Sequence, residues 1–222
     1  MATLILFYSY YRLPETSNKS NLVKVSMLQV TYNLLTDPIV WSYGLLIGGI
    51  NGILFSYYSE APFIFMKHFG YTSVQYGSLE MTLALASLLG ALIVNFLVKY
   101  LKSEIIALIG LTFSSISGVL LLISLQLDQA SLLILGFFLI FLGLNITLPV
   151  ALNLALKGYE DVIGTASGLF SFGYYLIVSL LTLLVSLIHN GTIWTLPIFI
   201  LIISLAMFFV YLPIVFKKNN KN

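Results

Sequence analysis

Two acidic side chains close to long apolar sequence are the strongest candidates for chemistry in this chain. Glu60 and Glu80 are flanked by apolar and aromatic residues, and an ionisable group within a membrane span is a functional candidate because its burial there is costly. Their chemistry would be proton coupling, and Glu80, about one turn into its predicted span, is the better candidate. The alternative is that both lie at outer span ends, where a carboxylate reaches water easily.

Amide, hydroxyl and aromatic side chains recur at helical spacing on two apolar runs. One run carries Asn51, Phe55 and Tyr58, and a later run carries Ser171 and Tyr175, so each set shares a helix face. Such a face suits a ligand that is apolar or weakly polar. A helix interface that uses Tyr as filler fits the same pattern equally well.

A third apolar run carries two amides around a proline. Pro149 lacks a backbone donor and predicts a bend, and Asn145 and Asn153 lie four residues to either side of it. These amides can pair the freed backbone groups or contact a substrate. The pattern alone leaves a satisfied kink and a substrate contact open.

Small residues four positions apart mark two helix faces for close packing. The first set is Gly44, Gly48 and Gly52, and the second is Gly164 and Gly168. Such spacing lets another helix approach closely, and packing is the simpler interpretation. The functional one is a hinge or sliding surface, because a smooth glycine face lets two helices rock without interlocking side chains.

Other chemistry is not indicated by the sequence. The chain has no Cys, and its two histidines, His68 and His189, fall in separate predicted loops without a second ligand at metal spacing. The motifs H-E-x-x-H, G-x-S-x-G and G-x-x-x-x-G-K do not occur. We therefore expect no metal, no cofactor and no enzyme activity.

The composition predicts that these residues lie in a membrane protein. Hydrophobic residues make up 59% of the 222 and charged residues 8%, with a mean hydropathy of +1.03. Continuous apolar runs of about 20 residues indicate membrane-spanning helices rather than a β-barrel. The net charge of +2 comes mostly from loops, so it bears on topology and does not indicate nucleic acid as a partner.

The apolar runs predict an all-α membrane protein with six transmembrane helices. Residues 1–11 resemble the remnant of a preceding transmembrane helix, 12–39 a cytoplasmic linker with an amphipathic helix, 40–216 the six-helix transmembrane domain and 217–222 a cytoplasmic tail. Predicted spans cover approximately residues 40–58, 77–98, 105–125, 131–154, 163–188 and 193–216.

Basic residues predict the orientation. With the linker in the cytoplasm, all of the 10 Lys and Arg except Lys67 lie on the cytoplasmic side, as the positive-inside rule requires. Both ends of the chain are then cytoplasmic. Trp41 and Trp194, near span ends, suit the interfacial aromatic belt.

Several segments carry a resemblance to a known family. The chain resembles the C-terminal half of a major facilitator superfamily transporter, in particular the bicyclomycin and chloramphenicol resistance (Bcr/CflA) branch of drug exporters. The similar segments are Leu13-Pro14-Glu15-Thr16, residues 55–63 with Tyr57, Ser59, Pro62 and Phe63, Gln75-Tyr76-Gly77, Gly90 and Asn95, and Leu148-Pro149 followed by Gly164-Thr165-Ala166-Ser167.

The resemblance implies that the six spans are helices seven to twelve of a twelve-helix bundle. It further implies proton-driven efflux of small, mostly apolar compounds from a bacterial cell through the inner membrane. Helices seven, eight, ten and eleven would line the substrate path, which places Asn51, Tyr58, Asn145 and Tyr175 on it. The chain departs from the family pattern at Leu83 and Val150, where Asn is usual.

Two classes of function follow from these patterns. The first is one half of an alternating-access transporter, which would need a separate N-terminal six-helix half or a second copy as partner. The second is a truncated membrane protein without transport, either a gene remnant or a helical packing partner. An intramembrane enzyme is disfavoured, because no nucleophile and base are paired.

Overall fold

The computed structural model describes Tyr8, Arg12 and residues 26–219, with side chains described through residue 216. The predicted remnant at residues 1–11, the start of the linker and the end of the tail lie largely outside the described residues. Seven α-helices fill the described part, which contains no strand. They are α1 (Met27–Thr36), α2 (Pro38–Pro62), α3 (Ser73–Leu97), α4 (Ser103–Gln126), α5 (Ala130–Ala155), α6 (Ile163–Ile188) and α7 (Thr195–Asn219).

Six of these helices, α2 to α7, are long and apolar enough to cross a membrane. The prediction of an all-α protein with six membrane spans is therefore confirmed. Such helices satisfy their backbone polar groups internally, which is what a hydrocarbon environment demands.

The first span continues beyond its predicted end. The sequence around Pro62 predicts a break, but Pro62 keeps helical angles (φ −56°, ψ −40°) and α2 passes directly into a π-helical turn, Phe63–His68. Proline at this place removes a donor without forcing the chain out of helical angles, and the wider π-helical turn absorbs the irregularity. The span that contains Glu60 thus reaches His68.

The second span begins earlier than predicted. Thr72 caps α3, because its Oγ1 accepts from the Gln75 backbone N–H at 3.3 Å while the Gln75 side chain accepts from the Thr72 N–H at 2.9 Å. This capping box fixes the helix start at Ser73. Glu80 therefore lies seven residues into α3, about 10 Å along its axis rather than one turn.

The packing order separates central from peripheral helices. The helix α2 packs against α5, α6 and α7, while α4 packs against α5 and α7. By contrast, α3 packs mainly on α5, and α6 packs mainly on α2. In the most apolar stretches of α3 and α6 only 22% and 11% of the residues are buried, against 61% in α2.

Candidate functional site

A carboxylate and a tyrosine join two spans in one half of the bundle. The Tyr57 hydroxyl of α2 donates to Oε1 of Glu80 on α3, at 3.3 Å. Tyr57 is fully buried, with its ring edge-on to Phe137 at 4.9 Å and to Phe141 at 5.1 Å between ring centroids. The hydroxyl is therefore held in place by α5, and Glu80 meets a fixed donor.

Neighbouring aromatic residues extend the cluster around Tyr57 and Glu80 to the exposed surface of the bundle. The Tyr58 ring lies 5.6 Å from the Tyr57 ring, and Tyr58 is exposed. Tyr76, on α3 one turn before Glu80, also lies beside the carboxylate. The arrangement places an ionisable group among aromatic side chains, of which the exposed Tyr58 is open to an apolar ligand.

Glu60 is not in water, contrary to the expectation for a group at an outer span end. It is 8% exposed, and the Nδ1 of His189 donates to its Oε2 at 2.7 Å. The Phe63 ring packs edge-on against the same imidazole at 5.2 Å. The reason is the continuation of α2, which carries Glu60 against the loop between α6 and α7 before the helix ends.

His68 has a carboxylate partner as well. Its Nε2 bonds Oδ1 of Asp128, in the turn between α4 and α5, at 2.9 Å. The described residues contain no group of three or more His, Asp or Glu that could hold a metal ion. The two histidines thus connect loops to the end of the first span.

The two mid-span amides have different partners. Asn145 on α5 donates from Nδ2 to the Ser87 hydroxyl of α3 at 3.1 Å and to its own helix at the Phe141 carbonyl. Asn51 on α2 donates to the Ile47 carbonyl at 2.8 Å. Asn145 therefore links two helices, whereas Asn51 is half-buried and bonds within its own helix. Pro149 lies on the exposed side of α5, which continues through it to Ala155.

Asn153 and Ser171 line one depression. It has a volume of about 670 Å³ and lies between the end of α5 and the start of α6, where Lys157 and Glu160 also line it. Phe55, Tyr58 and Tyr175 are exposed on α2 and α6. Of the predicted ligand residues, the structure thus brings Asn153 and Ser171 together at the α5–α6 depression. Phe55 and Tyr58 lie towards the other end of α2, and Tyr175 lies in the middle of α6.

The two sets of glycines have opposite surroundings. A Cβ added to Gly44, Gly48 or Gly52 would meet Phe170, Ile177 or Leu181 of α6 at 3.5, 2.8 and 2.7 Å. A Cβ on Gly164 or Gly168 would meet no described atom within 4 Å. The first set therefore forms the groove in which α6 lies, and the second faces outward from the bundle.

A tyrosine in the loop between α5 and α6 ties that loop to the start of α2. The Tyr159 hydroxyl donates to Oδ2 of Asp37 at 3.3 Å, and Oδ1 of Asp37 caps α2 by accepting from the Ile39 N–H at 2.8 Å. Burial, together with the charge of Asp37, raises the pKa of Tyr159 above its ordinary value. The hydroxyl is thus a neutral donor throughout the physiological range.

Sequence reasoning missed Tyr57 and Ser87 as partners of the predicted residues. Their helix faces are visible from periodicity, but the rotation of one helix against another is not. A usable signal was depth, because Tyr57 and Glu80 lie within about two turns of the same end of consecutive antiparallel helices. Their similar distance from the loop that joins α2 and α3 therefore predicts a contact between Tyr57 and Glu80.

Comparison with known proteins decides the family. The profile described as Major Facilitator Superfamily matches residues 1–182. The chain belongs to the major facilitator superfamily. It is a partial domain of that superfamily, all-helical and multi-pass, and its helices contact the lipid bilayer. The family points to a transporter rather than an enzyme.

Proteins named as transporters are similar to most of the chain. The chain is 31% identical to an "Uncharacterized transporter" of Rickettsia felis, over 99% of this chain and 58% of the relative. It is 32% identical to one of Rickettsia bellii, over 93% and 55%. A "Chloramphenicol resistance protein" of Pseudomonas aeruginosa is 29% identical over 75% of this chain and 40% of its own length. The chain thus spans little more than half the length of the Rickettsia relatives.

Proposed function

We propose that this superfamily member is the C-terminal half of a proton-coupled transporter that exports small apolar or weakly polar compounds. It would lie in a bacterial inner membrane with both ends of the chain in the cytoplasm, and work by alternating access. The observation that carries the proposal is the Glu80 carboxylate, two turns inside a span and hydrogen-bonded to Tyr57 of the neighbouring helix.

Protonation of Glu80 would change the contact between two helices. The charged carboxylate only accepts hydrogen bonds, and the bond from Tyr57 is stronger when the acceptor is charged. A neutral carboxyl group weakens that bond and costs less to expose to an apolar ligand. Loading and release of a proton would thus weaken and restore the bond that links α3 to α2, which is the coupling that an antiporter needs.

The exposed aromatic residues of α2 and α6 favour an apolar or weakly polar substrate. Phe55, Tyr58 and Tyr175 supply aromatic surface, while Asn51, Asn153 and Ser171 supply a few polar groups. A site of mostly apolar lining with a small number of polar anchors is the usual form of a small-molecule pocket. The chloramphenicol resistance protein among the relatives makes chloramphenicol a reasonable first substrate to test.

Poor burial of α3 and α6 supports a second bundle as partner. Each of these helices has one principal neighbour in the chain, and both flank the pair α2 and α5. A second six-helix bundle docked there would cover α3 and α6. It would enclose the exposed aromatic residues of α2 and α6 between the two bundles. The partner would be a separate N-terminal half, in keeping with the longer relatives, or a second copy of this chain.

Transport is tested in everted bacterial membrane vesicles. The chain is produced alone and, in parallel, with the part of the Rickettsia felis relative that it does not match. Respiration acidifies the vesicles, and chloramphenicol is added while a pH-sensitive dye reports the interior. Release of protons on addition of the drug supports the proposal, and the arm in which it occurs tells a homodimer from a pair of unlike halves.

Glu80→Gln should abolish this proton release, because the amide cannot bind and release a proton. Asp161→Asn is the matched control, since it makes the same chemical change on an exposed residue outside the cluster. Proton release that survives Glu80→Gln would remove Glu80 from the coupling role. No drug-dependent signal in either arm would favour the alternative, a membrane protein that does not transport.

A further inference from the structure

The helix α1 presents three different faces. Val30 and Leu34 are buried against the bundle. Leu28, Tyr32 and Leu35 follow one another at four and three residues and therefore share a second face, which is 84%, 67% and 59% exposed at these positions. Gln29, Asn33 and Thr36 form the third face, polar and exposed. An apolar face that no described residue covers thus lies between a packed face and a polar one.

The position of α1 is fixed at the ends of the spans. Only Asp37 separates it from α2, and its neighbours are α2 and α6. The indole Nε1 of Trp41 donates to the Leu35 carbonyl at 2.8 Å, and the Asp37 cap is held by Tyr159 from the other side. Tryptophan is typical of the membrane–water boundary, so the bond from Trp41 places the end of α1 at that level.

We infer that α1 is an interfacial helix whose partner is the lipid surface beside the start of α2. Leu28, Tyr32 and Leu35 insert at the boundary between headgroups and acyl chains, and the polar face with Gln29 and Asn33 meets water. This is the arrangement of amphipathic helices that lie in the membrane plane.

Charge favours the same partner. Between Glu15 and Asp37 the sequence has Lys19 and Lys24 and no acidic residue. Basic residues next to a membrane helix are attracted to anionic lipid headgroups. The inference depends on the multi-pass membrane location and not on transport, so either can fail without the other.

The absence of Cys from the chain makes the test direct. Leu28→Cys, Tyr32→Cys and Leu35→Cys each carry one spin label on the apolar face. Gln29→Cys, Asn33→Cys and Thr36→Cys are the matched controls on the polar face. The whole chain is reconstituted in vesicles of phosphatidylethanolamine and phosphatidylglycerol, and its helical content is checked by circular dichroism. Collisions with oxygen, which concentrates in the bilayer, are compared with collisions with a water-soluble nickel chelate.

Oxygen should be the better relaxant at positions 28, 32 and 35, and the nickel chelate at 29, 33 and 36. Equal access of the chelate to all six labels would show a helix in water and overturn the inference. Protection of labels 28, 32 and 35 from both reagents would show that protein covers this face, and would overturn it as well.

Discussion

At the scale of single residues, Gly48 and Gly164 show how one residue type can have two roles. Both belong to sets of glycines at four-residue spacing. Gly48 lies against Ile177 of α6, whereas Gly164 faces open space. The difference is not in either helix but in what packs against it, so an added methyl group meets α6 at Gly48 and open space at Gly164.

Alanine at these positions should therefore have unequal effects. In Gly48→Ala the new Cβ would lie 2.8 Å from Ile177 Cγ2 and 3.3 Å from the Tyr174 carbonyl oxygen, which forces α6 to move. We expect a loss of about 1–3 kcal/mol in the free energy of unfolding, as for an overpacked core. Gly164→Ala should stay within about 0.5 kcal/mol of the parent chain.

The measurement is unfolding by sodium dodecyl sulfate in mixed micelles, followed by circular dichroism. Equal midpoints for the two alanine variants would contradict the close approach of α2 and α6. A lower midpoint for Gly164→Ala than for Gly48→Ala would place the helix contact on the other set of glycines.

At the scale of elements, the end of the first span is held by two histidines. His189 reaches Glu60 from the loop between α6 and α7, and His68 in the π-helical turn reaches Asp128 between α4 and α5. The first pair is largely buried, with the side chains 32% and 11% exposed, and the second is open, at 38% and 69%. The buried pair should matter more to stability, because solvent screens the open one.

His189→Leu should lower the free energy of unfolding by about 1–3 kcal/mol, because it leaves the buried Glu60 carboxylate without its donor. His68→Leu is the control, and we expect a loss of about 0–1 kcal/mol. Adding Glu60→Gln to His189→Leu should restore part of the loss, since the uncompensated charge is then gone. Thermal unfolding in detergent at neutral pH measures all three variants. An effect of His68→Leu as large as that of His189→Leu would show that burial does not set the strength of these contacts.

The number and order of the spans could be predicted from the sequence because apolar runs of sufficient length leave one solution in a bilayer. Their ends could not. The break expected near Pro62 is a π-helical turn, and the start of α3 is set by the Thr72–Gln75 capping box, a local signal that hydropathy does not register.

At the scale of the whole molecule, the chain has two kinds of exposed surface. The helices α4 and α7 expose apolar residues such as Ile116 and Phe209, and α2 and α6 expose Phe55 and Tyr175. By composition these surfaces are alike, so the sequence could indicate the candidate residues of the site but not which surface would face the second bundle that we propose. The Tyr57–Glu80 contact likewise needed the relative rotation of α2 and α3.

Reactivity of single cysteines towards a charged, water-soluble thiol reagent tests most directly whether the exposed face of α2 and α6 lines a water-filled substrate path. Phe55→Cys and Tyr175→Cys are compared with Ile116→Cys and Phe209→Cys, four exposed positions well inside their spans, in bacterial membranes that hold the chain alone or with the unmatched part of the Rickettsia felis relative. In the arm that forms the transporter, the proposed substrate path predicts rapid modification at positions 55 and 175 and protection at 116 and 209. Protection of all four in both arms would contradict it, because the face would then meet lipid or protein and no substrate path would exist.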